Sequence, residues 1–395
     1  MDMVTKGILT GVRILDFTRV LAGPYATRLL ADFGAEVIKI QSRKTATGAE
    51  SNTSGYFNTW NRNKRSITLD MNYSEARKLV LRLTAISDVV IENFSPRVML
   101  NWELDYKRLK DVRPDLIMVS MSGMGQTGPW KDFVAFGPTI QALSGITSLT
   151  SFSKDSPTDL GYSYADHIAG LYAALAVLAA LEYRDRTGQG QYIDVSEYEA
   201  MCTLMGPALL DASVNSGDVL SQGDYVPAAP YGCYRCSGAD NWCVIATFND
   251  AEWKALCNTI GRTDLIRDEK FLTLKKRKEN VAELDHLIGE WTAKYTAEEI
   301  VGLLQKSDVP AGVVQNAEDM AKDPQLMARE SFVTLKHPVL GSTVSDRGPI
   351  KFNDFSAFDW KAAPLLGEDN QYVFTELLGL KESELSMYIE KGIVS

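Results

Sequence analysis

The chain has 395 residues, of which 45% are apolar, so it is long enough for about two globular domains with a substantial core. Its formal net charge of -10 argues against a nucleic-acid partner, because proteins that bind polyanions cluster Lys and Arg against the phosphates. The longest apolar run, at 168–181, is shorter than the roughly 20 residues that a membrane span needs, which predicts a core helix and no membrane partner.

Strands alternate with helices along the first 120 residues. Pro24 suits the first position of a helix and Gly34 its end. Such alternation predicts a doubly wound, Rossmann-like α/β domain with a mainly parallel sheet, in which ligands bind beyond the carboxyl ends of the strands. We expect strands at 12–17, 36–40, 66–69, 88–91 and 116–120, helices at 24–33, 74–86 and 106–110, and ligand-binding segments at 18–23, 41–43, 92–97 and 121–128.

The remainder of the chain predicts a second, smaller domain. The long apolar helix is followed by a strand at 191–195 and a helix at 197–210, and residues 211–230 are rich in turn formers, which indicates a linker or an active-site loop. We therefore predict a large Rossmann-like domain of residues 1–210 plus 331–395 and a small α/β domain of residues 231–330. In the small domain we expect strands at 242–248 and 311–314, helices at 250–260, 281–294 and 297–307, and then a tail of short strands and turns.

Asp166 is the most informative residue of the chain. It stands at the start of the long apolar helix, where an Asp often serves as the N-cap by accepting backbone N–H groups. The same carboxylate, which the helix dipole would keep ionised, is also a candidate nucleophile at the edge of an apolar pocket. Both interpretations are open at this point.

Several other constellations are weaker. Cys233 and Cys236 form a CxxC with Cys243 nearby, but no second pair or histidine follows at zinc spacing, so we expect thiols buried in strands and no metal. The three histidines are scattered, which leaves a Ser/His/Asp hydrolase without its parts. Five cysteines, an odd number, and the absence of a basic-then-apolar leader predict free thiols in the cytoplasm.

Two features concern phosphate binding. The turn at 18–24 contains one glycine where the dinucleotide fingerprint has three, which disfavours a nicotinamide enzyme, although the turn can still offer N–H groups to a phosphate. The basic run at 61–65 is either a solvated turn or a clamp for the phosphates of a nucleotide.

The ordered motifs of this chain resemble those of the class III CoA-transferases, the group of formyl-CoA transferase and carnitine CoA-transferase. The resemblance covers nearly the whole chain and is carried by residues 15–24, 32–39, 61–70, 88–94, 125–129, 187–192 and 309–312. It implies a CoA-transferase whose substrates are an acyl-CoA thioester and a carboxylic acid, with no metal. It also implies an interlocked homodimer, or a heteromer with a related subunit.

The family's catalytic aspartate corresponds to Asp166. The resemblance implies that this carboxylate attacks the acyl-CoA to give a mixed anhydride, that the CoA thiolate then forms an aspartyl-CoA thioester, and that the acceptor acid reverses the exchange. Trading one thioester for another is nearly balanced in energy, so the site needs mainly to position the two acids in turn and to exclude water.

The family's CoA contacts carry over to a set of residues after the strands. Ser42 and Asn101 stand where the family has basic residues, so Arg43 and Arg97 are hypotheses for the phosphate contacts. The other expected contacts are Val20, Leu21, Ala22, Leu69, Asp70, Met71, Asn72, Asn93, Phe94, Ser95 and the aromatic Phe136.

Alternatives within the same fold remain open. The 2-methylacyl-CoA racemases need a histidine base in a segment that reads Ala-Phe-Gly-Pro at 135–138 here, which disfavours α-proton abstraction. If the protein is a noncatalytic CoA-binding subunit, Asp166→Ala would leave CoA binding and all other measurable behaviour intact.

The sequence says least about the identity of the donor and acceptor acids. The formyl and oxalate group has glutamine at Leu21 and glutamate at Gly137, so a very small polar acid is disfavoured. The aromatic residues Tyr162, Tyr164, Trp130 and Phe136 hint at a larger acid. We expect succinyl-CoA as the donor and an arylsuccinate or a short dicarboxylate as the acceptor.

Overall fold

The structure is a computed structural model, and it describes residues 7–151, 156–215, 226–352 and 360–395. The chain divides into two compact units, one of Met1–Val219 with Ser331–Ser395 and one of Leu220–Glu330. Of the predicted linker at 211–230, residues 211–215 belong to a helix, and residues 216–225 lie outside the described residues.

The described residues form strands and helices throughout both units. The strands are β1 Arg13–Asp16, β2 Glu36–Gln41, β3 Arg65–Thr68, β4 Val89–Glu92, β5 Ile117–Ser122, β6 Tyr192–Ser196, β7 Tyr231–Arg235, β8 Trp242–Ala246, β9 Ala311–Val313, β10 Phe332–His337 and β11 Gly341–Asp346. The α-helices are α1 Ala22–Asp32, α2 Gly55–Asn61, α3 Ser74–Ala85, α4 Arg97–Asn101, α5 Tyr106–Val112, α6 Gly137–Leu143, α7 Ile146–Thr150, α8 Tyr164–Thr187, α9 Glu197–Cys202, α10 Gly206–Asn215, α11 Asp250–Thr259, α12 Leu274–Glu279, α13 Val281–Thr292, α14 Ala297–Gln305, α15 Ala317–Lys322, α16 Pro324–Ala328 and α17 Glu382–Glu390.

The larger unit is built on a six-stranded sheet in the order β3-β2-β1-β4-β5-β6. Every neighbouring pair is parallel, which confirms the predicted doubly wound α/β fold. The chain winds outward in one direction from β1 to β3 and in the other from β4 to β6. The strand order therefore reverses between β1 and β4, and the crevice beyond their carboxyl ends is where such sheets bind ligands.

The two faces of the sheet are covered by different helices, because successive side chains of a strand point to opposite faces. Leu15 on β1 belongs to the apolar cluster that includes residues of α3, α5 and the carboxyl-terminal segment. Its neighbour Ile14 belongs to the cluster that includes residues of α1 and α8. Both clusters consist of buried and mainly aliphatic side chains, as expected for an all-parallel sheet.

The long helix α8 differs from its prediction in length and in burial. It has 24 residues, and among the described residues it is the one helix whose length and composition would suffice to cross a membrane, a test that core helices also pass. The apolar run at 168–181 thus lies within a helix that extends beyond it at both ends. One side of α8, with Ala169, Ala173 and Val177, is buried against α1, while Leu175 is 61% exposed. The prediction of a core helix is therefore confirmed for one side of α8 and wrong for the other.

Two further segments were predicted incorrectly. The single helix expected at 197–210 is instead α9, a short 3-10 turn and α10, with Gly206 and Pro207 at the second start. The tail contains more helix than expected, with a π-helical turn at Tyr372–Leu377 and then α17. Val373 and Phe374 are fully buried in the core, which explains why this segment is ordered as a helix.

The smaller unit is an antiparallel three-stranded sheet, β7-β8-β9, packed with helices. Its core contains Trp253 of α11, Ile288 of α13 and Ile300 of α14. Cys243 on β8 is buried beside these residues, as predicted for a strand thiol, and Cys236, directly after β7, is buried as well. Cys233 on β7 is exposed, so the prediction of a buried thiol is wrong there.

A buried charge cluster lies beneath the turn that joins β1 to α1. Asp16 and Lys39 are register partners on neighbouring strands, and the Lys39 Nζ lies 3.9 Å from the Asp16 Oδ2. The Lys64 Nζ lies 3.0 Å from the same oxygen. Burial alone would raise the pKa of Asp16, but the two lysine charges and the hydroxyls of Thr18 and Thr27 outweigh it and lower the pKa to about 2.

The same cluster fixes the backbone of the turn. The Asp16 Oδ1 accepts hydrogen bonds from the Thr18 N–H at 2.8 Å and from the Thr18 Oγ1 at 2.5 Å, and the Lys39 Nζ donates to the Thr18 carbonyl at 2.7 Å. Lys64 donates to the Pro24 carbonyl at 3.0 Å. Both ends of the turn are therefore held by one carboxylate and its two lysines.

We expect Asp16→Asn to lower the free energy of unfolding of the larger unit by about 3 kcal/mol, because the amide removes the buried counter-charge of Lys39 and Lys64. Urea denaturation followed by circular dichroism measures the change. Asp111→Asn, at an exposed position of α5, is the control and should leave the transition unchanged. Equal midpoints for wild type and Asp16→Asn would contradict this role.

Candidate active site

The turn between β1 and α1 is also held from the neighbouring strand across the crevice. Asn93 directly follows β4; its Oδ1 accepts from the Arg19 N–H at 2.7 Å and its Nδ2 donates to the Arg19 carbonyl at 2.8 Å. Val20, the next residue, has a φ of 64°, which is unusual for a β-branched side chain. Asn93 therefore holds in place the turn that carries three of the predicted CoA contacts, Val20, Leu21 and Ala22.

Asp166 lies at the end of this turn, where α8 begins. It is the third residue of α8, after the N-cap Ser163, so the interpretation of Asp166 as the N-cap was wrong. The Ser163 hydroxyl donates a short hydrogen bond to the Asp166 Oδ2. The Ala22 backbone N–H, at the start of α1, also hydrogen-bonds the Asp166 carboxylate.

The electrostatic environment of Asp166 is set mainly by burial. Burial raises the pKa of Asp166 above its usual value, and the Ser163 hydroxyl, the Ala22 N–H and His167 offset this only in part. We expected the helix dipole to keep the Asp166 carboxylate ionised. Burial has the larger effect on its pKa and acts in the opposite direction. A carboxylate with a raised pKa is a stronger nucleophile when it is ionised.

Two glycines allow the helices α1, α6 and α8 to approach one another closely near Asp166. A Cβ on Gly170 of α8 would lie 2.7 Å from the Ala22 carbonyl oxygen, so this glycine lets α8 approach the start of α1. A Cβ on Gly137 of α6 would lie 2.7 Å from the Asp166 Oδ2 and would overlap the Ser163 hydroxyl. The position of the Asp166 carboxylate therefore depends on glycine at both places.

Aromatic rings surround His167, the residue that follows Asp166. The His167 ring lies 4.9 Å from that of Tyr25, 5.2 Å from that of Trp60 and 4.8 Å from that of Tyr162, centroid to centroid. Its Nδ1 donates to the Ser163 carbonyl at 2.7 Å, and its Nε2 lies 3.0 Å from the Tyr162 hydroxyl. Burial and the charge of Asp166 raise the pKa of the nearby Tyr56 to about 12. We call Tyr25, Tyr56, Trp60 and Tyr162 the aromatic cluster.

A cavity of about 260 Å³ lies on the other side of the turn, beyond the ends of β1, β2 and β4. Thr18 and Arg19 of the turn form part of its wall, so the turn connects the cavity to Asp166. Five of the predicted CoA contacts line it, namely Leu69, Asp70, Met71, Asn72 and Phe94. Lys39 and Trp102 line it as well, although the sequence did not single them out.

The predicted phosphate contacts are placed differently. Arg43 lines an adjoining cavity of about 360 Å³ together with Lys44, Leu69 and Asp70. Lys44 was missed, although its place next to Arg43 is the signal that could have found it; its Nζ donates to the Asp70 Oδ2 at 2.8 Å. Arg97 begins α4 and is exposed, and it does not line either cavity.

The other predicted contacts do not line these two cavities. Leu21 and Ala22 are buried in the turn, whereas Val20 and Ser95 are exposed at the surface. Phe136 is the N-cap residue of α6 and is 64% exposed, next to Gly137.

The basic run at 61–65 has a structural role that neither interpretation foresaw. The Arg62 guanidinium is buried and donates to Asp32 at 2.7 Å and to Asp346 at 3.0 Å, and Lys64 is buried on Asp16. Asp346, on β11, is far from Arg62 in sequence. Arg62 and Lys64 are therefore neither a solvated turn nor a phosphate clamp.

Within the described ranges, no three or more His, Cys, Asp or Glu side chains are grouped to hold a metal ion. The larger unit also contains a cavity of about 780 Å³ on another side, lined by residues such as Asp32, Arg65 and Trp360. Neither Asp166 nor any predicted CoA contact lines it, so it is separate from the site described here.

The larger unit thus combines a Rossmann-like crevice, a cavity at that crevice, and a turn that connects the cavity to a buried carboxylate. Residues 9–370 match the model of CoA-transferase family III. The chain therefore belongs to CoA-transferase family III and is a CoA-transferase.

Named relatives match almost the full length of the chain. A succinyl-CoA–D-citramalate CoA-transferase of Chloroflexus aurantiacus is 36% identical over 98% of both chains. A succinyl-CoA:mesaconate CoA-transferase of Haloarcula hispanica is 34% identical over 94% of this chain and 96% of its own. Among solved structures, a CaiB/BaiF family protein of Brucella suis matches with a TM-score of 0.85 and 33% identity over 94% of this chain and 100% of its own.

We expect Gly137→Ala to reduce kcat for CoA transfer by about a hundredfold, because the new methyl group would displace the Asp166 carboxylate by a fraction of an ångström. Steady-state kinetics with the purified protein measure the loss. Gly206→Ala is the matched control, since nothing lies within 4 Å of its added Cβ. Wild-type kcat in Gly137→Ala would show that the carboxylate is not held as tightly as the packing implies.

Proposed function

We propose that the protein transfers CoA from an acyl-CoA donor to a carboxylic acid through covalent intermediates on Asp166. The observation that supports this most is the position of Asp166: a buried carboxylate whose pKa is raised, at the end of the turn that also borders the cavity. A group bound in the cavity can extend along this turn to the carboxylate. Ser163 and the Ala22 N–H orient the attacking oxygen.

The proposed reaction consists of four exchanges. The Asp166 carboxylate attacks the thioester carbonyl and the C–S bond breaks. This step releases the CoA thiolate and forms a mixed anhydride between Asp166 and the donor acid. The thiolate attacks the aspartyl carbonyl and releases the donor acid, which gives an aspartyl-CoA thioester. The acceptor carboxylate attacks this thioester to form a second anhydride and to release the thiolate. The thiolate then attacks the acceptor's carbonyl, which yields the new acyl-CoA and restores Asp166.

The proposed CoA site spans the two cavities and the turn. The adenosine end occupies the cavity lined by Leu69, Met71, Asn72 and Phe94, and its phosphates meet Arg43 and Lys44 at the adjoining cavity. The pantetheine arm follows Val20, Leu21 and Ala22 toward Asp166. Ser95, Arg97 and Phe136 stay in this proposal as outer contacts.

We propose succinyl-CoA as the donor and a dicarboxylate as the acceptor. The relatives named for D-citramalate, glutarate and mesaconate support this choice, because each of those acids is a short dicarboxylate and two of the names include succinyl-CoA. The aromatic cluster beside His167 favours a second candidate, a succinate that carries an aryl group, which would stack against these rings.

We propose that the active form is a homodimer or a heteromer with a related subunit. The exposed side of α8 presents Leu171, Tyr172, Leu175 and Leu178, a run of apolar side chains that a monomer would leave in water. The five free cysteines support a reducing, cytoplasmic location.

A charge on this apolar side should prevent assembly. We expect Leu175→Asp to convert the dimer to monomers in size-exclusion chromatography with light scattering, since the carboxylate would be buried unpaired at the interface. Leu100→Asp, at an equally exposed leucine of α4, should remain dimeric. A wild-type protein that is itself monomeric would refute homodimerisation and direct the search to a partner subunit.

The transfer reaction is tested by mixing the protein with succinyl-CoA and a panel of short and aryl-substituted dicarboxylates, and then measuring the acyl-CoA pool by mass spectrometry. We expect a new thioester from wild type and at least a thousandfold lower rate from Asp166→Asn, which keeps the shape but lacks the nucleophile. Asp185→Asn, at an exposed site of α8, is the control. A rate for Asp166→Asn equal to that of wild type would refute the proposed nucleophile.

A further inference from the structure

A second buried carboxyl group lies next to the start of α8. Glu197 is the first residue of α9, directly after β6, and its side chain is only 8% exposed. The helix start is capped by Ser196, whose Oγ accepts from the Glu199 N–H at 3.2 Å. The cap therefore does not involve Glu197, and the mechanism above does not use this residue.

The packing of α9 directs Glu197 toward Asp166. Met201, one turn further along α9, is fully buried in a cluster with Ile140 of α6 and Ala165 of α8. Residues four apart lie on the same side of a helix, so Glu197 is on the side of α9 that faces the first turn of α8. Asp166 follows Ala165 directly, and the charge of Asp166 acts on the Glu197 carboxyl group.

The charged groups around Glu197 leave it without a cation. On α8 the group that acts on Glu197 is Asp166. The next residue, His167, has its ring nitrogens within hydrogen-bond distance of the Ser163 carbonyl and the Tyr162 hydroxyl. On β6 the ionisable residues are Tyr192 and Asp194, neither of them a cation, and α6 contributes none. Within the part of the chain that the structure describes, no Lys or Arg forms an ion pair with Glu197. Burial first, and the Asp166 charge second, raise the pKa of Glu197 to about 8.

We propose that Glu197 is a positioning residue that holds a proton beside Asp166, so that the site carries one negative charge and not two while CoA is transferred. The inference rests on the proposed role of Asp166. Each attacking group in the reaction is an anion: the Asp166 carboxylate, the CoA thiolate and the acceptor carboxylate. A second buried carboxylate would repel each of them over a short distance in a medium of low dielectric constant.

The proton on Glu197 is lost to solvent as the pH rises. Above pH 8 the folded site then carries two negative charges, and the acceptor acid meets repulsion. The expected result for wild type is a fall of about tenfold in kcat/KM for the acceptor acid between pH 7 and pH 9. At pH 7 the group is neutral, so replacing it by a neutral side chain should change kcat/KM by less than about threefold.

The test compares the pH profiles of Glu197→Gln and wild type at saturating succinyl-CoA. The amide cannot ionise, so the decrease above pH 8 should disappear; the same decrease in the variant would overturn the proposal. Glu197→Leu, which is also unable to ionise, serves if the first variant fails to fold, and it too should lack the decrease. Glu197→Asp keeps a titrating carboxyl and should restore it.

Two controls separate this inference from the proposed function. Glu199→Gln, on the exposed side of α9, should show the wild-type profile. Asp166→Asn is assayed in parallel. If it still transfers CoA, the proposed function fails; if it does not, while Glu197→Gln keeps the decrease, only the role of Glu197 is wrong.

Discussion

The position of the turn between β1 and α1 is the constraint on which the site depends, and the buried Asp16 carboxylate maintains it together with Asn93. Asp16 is fully buried, yet the charges of Lys39 and Lys64 keep it ionised. The cost of burying these groups is offset by their mutual attraction and by hydrogen bonds, of which Asp16 and Lys64 have several and Lys39 has one, to the Thr18 carbonyl. The same burial lowers the pKa of Lys64 to about 7, although Asp16 opposes this shift. The turn is thereby fixed between the cavity and Asp166.

The site also requires that the Asp166 carboxylate, which belongs to α8, reach that turn. Close packing of the helices makes this possible. Gly170 lets α8 approach α1, and Gly137 leaves room for the Asp166 oxygen and the Ser163 hydroxyl. The resulting burial is what raises the pKa of Asp166. Stability and reactivity are therefore linked here: the contacts that hold α8 against α1 also create the environment of the proposed nucleophile.

Much of the fold could be predicted from local sequence, because buried parallel strands are continuous apolar runs and helix starts carry Pro or Ser signals. The segment around Asp166 and the ordered motifs likewise identified the family. Features that depend on residues far apart in the sequence could not be predicted. Arg62 pairs with Asp346, and no local pattern shows that pairing. The exposed side of α8 could not be predicted for a similar reason, since composition does not show which side of an apolar helix packs against other elements.

The role of Asp166 as the covalent nucleophile is tested most directly by mass spectrometry of the protein after rapid mixing with succinyl-CoA and acid quench. The account predicts a CoA thioester on the peptide that contains Asp166, formed before the acceptor is added and discharged when it is supplied. An adduct on a different peptide, or turnover without any adduct on the protein, would contradict the account.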